Sequence, residues 1–93
     1  MFNVNEYFEG KVASIGFNAP SSRATVGVMA AGEYEFGTDT IELMTLVAGE
    51  WDILLPGETE WKSFDVGETF TVAKGEKFKL NVKTDSAYLC EYK

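Results

Sequence analysis

The chain has 93 residues, a net charge of −7 from 15 acidic against 8 basic side chains, one cysteine and no histidine. That length holds one domain with a modest core, and so acidic a chain lacks the basic face that a nucleic-acid backbone demands. No apolar run is long enough to span a bilayer, the opening MFNVNEYFEG has no signal-peptide character, and a lone cysteine cannot close an internal disulfide, which fits a reducing cytoplasm.

Strand signals dominate from the start. KVASIGF is the first predicted strand, closed by the loop NAPSS. RATVGVMA alternates Ala24, Val26 and Val28 with Arg23, Thr25 and Met29, and Gly32 turns the chain into EYEF. TIELMTLVAG and EWDILL follow with Gly49 as a hinge, and PGETEW reads as a turn. The stretch from Trp61 to Lys83 predicts three short strands broken at Asp65–Gly67 and Lys74–Glu76, and SAYLCEYK forms a closing strand. Lys74, Lys77, Lys79 and Lys83 interleave with Phe78, Leu80 and Val82, the pattern of a solvated strand face. Cys90 alternates with Tyr88 and Tyr92, which predicts a packed thiol rather than a nucleophile, since no histidine exists to activate it. No segment carries a helical stripe. Short strands with regular turn punctuation predict a single all-β domain over residues 1–93, a small sandwich or barrel.

The strand Ile41–Ala48 is apolar on both faces: Ile41, Leu43 and Val47 on one, Met44, Leu46 and Ala48 on the other. A strand covered on one side only shows a clean polar face, so a terminal segment or a second subunit is expected to cover the outside, and a homodimer is predicted. Glu42 sits at the mouth of this run, where a carboxylate must reach water or find a partner.

Two spacings are informative. Glu42, six residues and Gly49 match the end of the first cupin motif; Gly67, five residues and Ala73-Lys74-Gly75 match the second, with alanine in place of the usual proline. Metal cupins carry histidines where Phe36, Thr38 and Phe78 fall here. Carboxylates alone are a poor donor set for transition metals, so no metal and no metal-dependent dioxygenase or isomerase chemistry is expected. NEYFEGKVASIGF, RATVGVMAAGEYEF, ELMTLVAGEWDILLPG, WKSFDVGETFTV and AYLCEY together resemble the small pyrimidine/purine nucleoside phosphorylases. That resemblance implies a cupin-like double-stranded β-helix, a jelly-roll barrel without cofactor. It implies phosphorolysis of purine and pyrimidine nucleosides, the uridine, adenosine, inosine, guanosine, cytidine, thymidine and xanthosine class, to free base and pentose 1-phosphate. Its partners would be nucleosides and inorganic phosphate, with neither nucleic acid nor membrane. The alternative is a metal-free cupin without catalysis, a small-ligand-binding or dimeric scaffold module.

Phosphorolysis through an oxocarbenium-like pentose needs donors for phosphate, an acceptor near the ribose and a dry slot for the base. Arg23, the chain's only arginine, is the candidate for phosphate, beside the hydroxyl of Ser22; the alternative is a surface arginine pairing with a carboxylate. In the cupin frame Glu42 points inward, free to face the ribose or the charge developing at the anomeric carbon; the alternative is a purely structural hydrogen bond. Tyr34, Phe36 and Phe78 are candidate aromatic walls for the base, or ordinary barrel core. Tyr7 and Tyr88 could supply hydroxyls from the terminal segments, and Trp51 and Trp61 are read as packing.

Overall fold

A computed structural model describes residues 2–93 of the chain. Its elements are all strands: β1 (Val4–Tyr7), β2 (Val12–Asn18), β3 (Arg23–Met29), β4 (Gly32–Gly37), β5 (Glu42–Leu54), β6 (Lys62–Phe64), β7 (Thr69–Val72) and β8 (Lys77–Tyr92). All pairings are antiparallel, as the all-β expectation required.

Two long strands organise the barrel. The second half of β8 lies between β3 and the first half of β5, and β1, β2 and β7 extend that layer. The first half of β8 lies between β4 and the second half of β5, with β6 outermost. Both long strands thus pass from one layer to the other. The crossing in β5 is marked by register shifts between Leu46 and Trp51, the bulges that let a strand turn a barrel corner. Gly49 sits in this corner at φ 103°, and a Cβ there would stand 2.7 Å from the Cα of Ser86. The Ser86 hydroxyl closes the same corner, accepting from the Glu50 amide at 3.1 Å and donating to the Thr84 carbonyl at 2.9 Å.

The sequence suggested separate strands on either side of Gly49 and of the Lys83–Ser86 stretch; the structure bends one strand at each place instead. β1 was not anticipated. It hairpins onto β2 through a turn in which Phe8 and Glu9 both take left-handed backbone, φ 52° and 59°. Phe8 is held there by its ring, whose centroid lies 5.0 Å from that of Tyr34 and 5.4 Å from that of Phe36.

The register of β5 follows the expected parity. Met44 and Leu46 are buried in the core with Trp51, Ile53, Phe70, Val72, Phe78, Leu80 and Val82, and Glu42 faces inward, half-buried, at the open end. Trp51 packs edge-on to Phe70 at 5.9 Å. Trp61 departs from the packing expectation: it is 42% exposed, because the short β6 ends the sheet and leaves nothing beyond it to cover the indole. The outer face of the larger layer carries a continuous apolar row, Val4, Ile15, Val26 and Leu89, each opposite the next across the ladder. Val26, Val28 and Val47 on this face are about half-exposed.

Candidate functional site

The cavity of the barrel exists because the inward positions of β2 and β3 are small. Ser14 pairs with Gly27 and Gly16 pairs with Thr25, so the large side chains of Tyr88 and Arg23 can lie close over the two glycines instead of being pushed out into the cavity. A Cβ at Gly27 would stand 2.6 Å from the Tyr88 ring and hydroxyl, so only glycine lets Tyr88 lie against the sheet rather than across the cavity.

Opposite this floor, β4 and β8 supply aromatic walls. Phe36 and Phe78 face each other across the ladder with stacked rings, centroids 6.2 Å apart and planes 29° from parallel. Tyr7 approaches Phe36 edge-on from β1 at 6.4 Å. Met29, Met44, Phe36, Phe78 and Tyr88, with the polar groups of Ser14, Asp39 and Glu42, line a chamber of about 290 Å³. A second chamber of about 350 Å³ adjoins it, lined by Asn5, Arg23, Thr25 and Thr40. Tyr7, Asp39, Glu42 and Tyr92 line both chambers and form the waist between them.

Polar contacts fix the waist. The Cys90 thiol donates to Glu42 Oε1 at 3.5 Å, and the Tyr92 hydroxyl hydrogen-bonds with Thr25 Oγ1 at 3.0 Å. Burial raises the Glu42 carboxyl above its ordinary range; the Cys90 hydrogen bond opposes that rise and the Asp39 charge adds to it. Cys90 and Tyr88 are each pushed up to about 12, chiefly by burial, so at neutral pH the thiol and the phenol are donors rather than anions. Cys90 is the packed thiol the alternation implied, yet it also contacts the one inward carboxylate of β5. Among the described residues no group of three or more His, Cys, Asp or Glu side chains is placed to hold a metal. Two of the positions where metal cupins carry histidine hold the stacked phenylalanines, and the third, Thr38, donates its hydroxyl to the Ala73 carbonyl at 2.6 Å.

Of the residues proposed from sequence, Tyr7, Phe36, Glu42, Phe78 and Tyr88 line the first chamber, and Arg23 lines its neighbour. Tyr34 and Ser22 line neither. Tyr34 stands two residues before Phe36 on β4, with its hydroxyl donated to the Ala30 carbonyl at 2.7 Å and its ring against a shallow groove with Phe8 and Trp61. The Ser22 hydroxyl is buried without a hydrogen-bond partner. The structure adds Asp39, Thr25, Thr40, Asn5 and Tyr92. Parity had already placed Tyr92 on the face of Tyr88 and Cys90, but Asp39 and Thr40 lie in a loop, where no periodicity speaks.

The comparisons agree with this architecture. The sequence model for "Pyrimidine/purine nucleoside phosphorylase" matches residues 2–92. The chain belongs to the pyrimidine/purine nucleoside phosphorylase family. A protein of that name from Tolumonas auensis is 58% identical over 100% of both chains. A crystal structure of a Vibrio parahaemolyticus protein of unknown function superposes with a TM-score of 0.95 at 44% identity, covering 100% of this chain and 99% of that one. An RmlC-like cupin from Shewanella frigidimarina superposes with a TM-score of 0.77 at 16% identity, over 99% of this chain and 83% of that one. The family member therefore has the cupin-like β-barrel that its two glycine motifs implied.

Proposed function

We propose that the protein is a metal-independent cytoplasmic nucleoside phosphorylase, a pentosyltransferase with a broad range of purine and pyrimidine nucleosides. One observation carries this reading: an aromatic chamber and an arginine-bearing chamber share a waist that holds Glu42. A nucleoside with its base against Phe36, Phe78 and Tyr88 would set its pentose at the waist. Phosphate beside Arg23 would then stand on the far side of the anomeric carbon, as an in-line displacement requires.

The chemistry follows from that placement. A phosphate oxygen bonds to C1′ as the C1′–N bond breaks, the bonding pair leaves on the base nitrogen, and the base gains the one proton that phosphate gives up. Positive charge develops on the pentose ring in between, where a carboxylate in a site of low dielectric is most effective. Glu42 is that carboxylate. The base chamber offers aromatic faces and methionine sulfur that suit both ring classes, with the hydroxyls of Ser14 and Tyr88 as polar contacts.

Arg23→Ala tests the division of labour. Loss of a bidentate guanidinium should raise the KM for phosphate about 10- to 100-fold and leave the KM for the nucleoside within about threefold. Equal weakening of both substrates would place phosphate elsewhere. The fold should persist, because Arg23 is exposed and among the described residues is in no ion pair.

The reading includes a homodimer. The apolar row Val4–Ile15–Val26–Leu89 carries no charge, so two copies of the chain can bury it against each other. Sedimentation equilibrium at micromolar concentration should give twice the chain mass, and Val26→Lys should return it to a monomer by placing a buried, unpaired ammonium in the contact. A monomeric wild-type chain would contradict this assembly.

A further inference from the structure

We infer that Asp39 makes the anion chamber select a proton-bearing oxyanion, phosphate or arsenate, and reject sulfate. The inference rests on the assignment of the Arg23 chamber to phosphate and goes beyond it by naming what discriminates among tetrahedral anions.

The observation is an imbalance of charge. Among the described residues the chamber offers one cation, Arg23, and no lysine, against two carboxylates, Asp39 and Glu42. Asp39 is exposed at the rim of the chamber, is in no ion pair and accepts no side-chain hydrogen bond among the described residues, so no other group of the protein holds its acceptor oxygens. Its charge is felt across the waist, since it helps raise the Glu42 carboxyl. The other titratable groups facing this space are the phenols of Tyr7 and Tyr92 and the thiol of Cys90 behind Glu42.

Such a chamber is a poor host for an anion that carries only acceptors. Sulfate has the size and shape of phosphate but bears no proton near neutral pH. Facing Asp39, it meets like charge and has no proton to offer the carboxylate. Phosphate carries a proton, and its P–OH can donate to the carboxylate in a short, charge-assisted hydrogen bond while its ionised oxygens take the Arg23 fork. A site built to bond a ligand's hydroxyl rejects an analogue lacking it far more strongly than one relying on shape.

Titration calorimetry of inorganic phosphate and sodium sulfate, at constant ionic strength, tests this on wild type and on Asp39→Asn without requiring turnover. Wild type should bind phosphate about 10²-fold more tightly than sulfate. In Asp39→Asn, whose amide can donate to sulfate, the ratio should fall at least tenfold, mostly through tighter sulfate binding. Sulfate inhibition of base release should move in parallel. Two results overturn the inference: wild type binding both anions within about threefold, or an unchanged ratio in the variant with only the nucleoside KM altered, which would assign Asp39 to a ribose hydroxyl. Absence of binding by either anion also overturns it. The phosphorylase reading fails separately, if phosphate binds selectively but no nucleoside yields base.

Discussion

Glu42→Gln is expected to lower kcat about 10²- to 10³-fold while stabilising the fold. The kinetic loss is the usual scale for removing one electrostatic partner of a developing charge, and the nucleoside KM should change far less, since the charge matters most as the oxocarbenium forms. The stability gain comes from the opposite side of the same feature. Burial and the neighbouring Asp39 hold the Glu42 carboxyl above its ordinary range, against the pull of the Cys90 thiol. The folded chain therefore keeps this proton to higher pH than the unfolded chain does. Where the two states differ, the folded state binds more protons, so stability declines as pH rises from the ordinary glutamate range to the raised folded value, and the cost persists above it. Glutamine removes that cost. Its melting temperature should exceed wild type at pH 7. The difference should vanish below the ordinary glutamate range, where both states of wild type are protonated. A variant that loses kcat and melts lower at pH 7 would mean that Glu42 serves the fold, not the reaction.

Gly49→Ala is expected to produce the largest loss of stability. Two penalties coincide there. The backbone at φ 103° is one that L side chains rarely adopt, which alone costs about 1–3 kcal/mol. The added Cβ would also meet the Cα and Cβ of Ser86, each 2.7 Å away, and backbone cannot move aside in the corner where β5 crosses between layers. A total of at least about 3 kcal/mol is a large part of the margin of a small domain, and the melting temperature should fall by about 12 °C or more. Gly57→Ala is the internal comparison. It too has positive φ, 75°, but no atom lies within 4 Å of its added Cβ, so it should cost only the backbone term. Equal losses at the two positions would show that the corner is not tightly closed.

The parts of this architecture that follow a strand's period of two were legible in the sequence. Parity alone put Glu42, Met44 and Leu46 on one side of β5, and Tyr88, Cys90 and Tyr92 on one side of β8, and those faces do turn inward. The glycine spacings around Glu42 and Gly75 supplied the barrel. Continuity was not legible. Gly49 and the polar Lys83–Ser86 stretch look like breaks, because bends and breaks use the same residues, and only pairing on both flanks tells them apart. β1 escaped notice because VNEY is short and exposed throughout, so burial leaves no pattern in it. The waist was only half visible. Asp39 is a loop residue with an ordinary neighbourhood in sequence, and Thr25 and Tyr92 meet only through the β3–β8 register. Tyr34 shows the converse limit: it shares parity with Phe36, but it stands two residues earlier on β4, where its hydroxyl is donated to the Ala30 carbonyl and the chamber does not reach.

The measurement that bears most directly on the whole account is release of free base by the purified chain, from uridine and from inosine, with and without inorganic phosphate. Base and pentose 1-phosphate should appear together, in equal amounts, only when phosphate is present, for the pyrimidine and the purine nucleoside alike. Base release that persists without phosphate, or binding of nucleoside with no release under any condition, would contradict it.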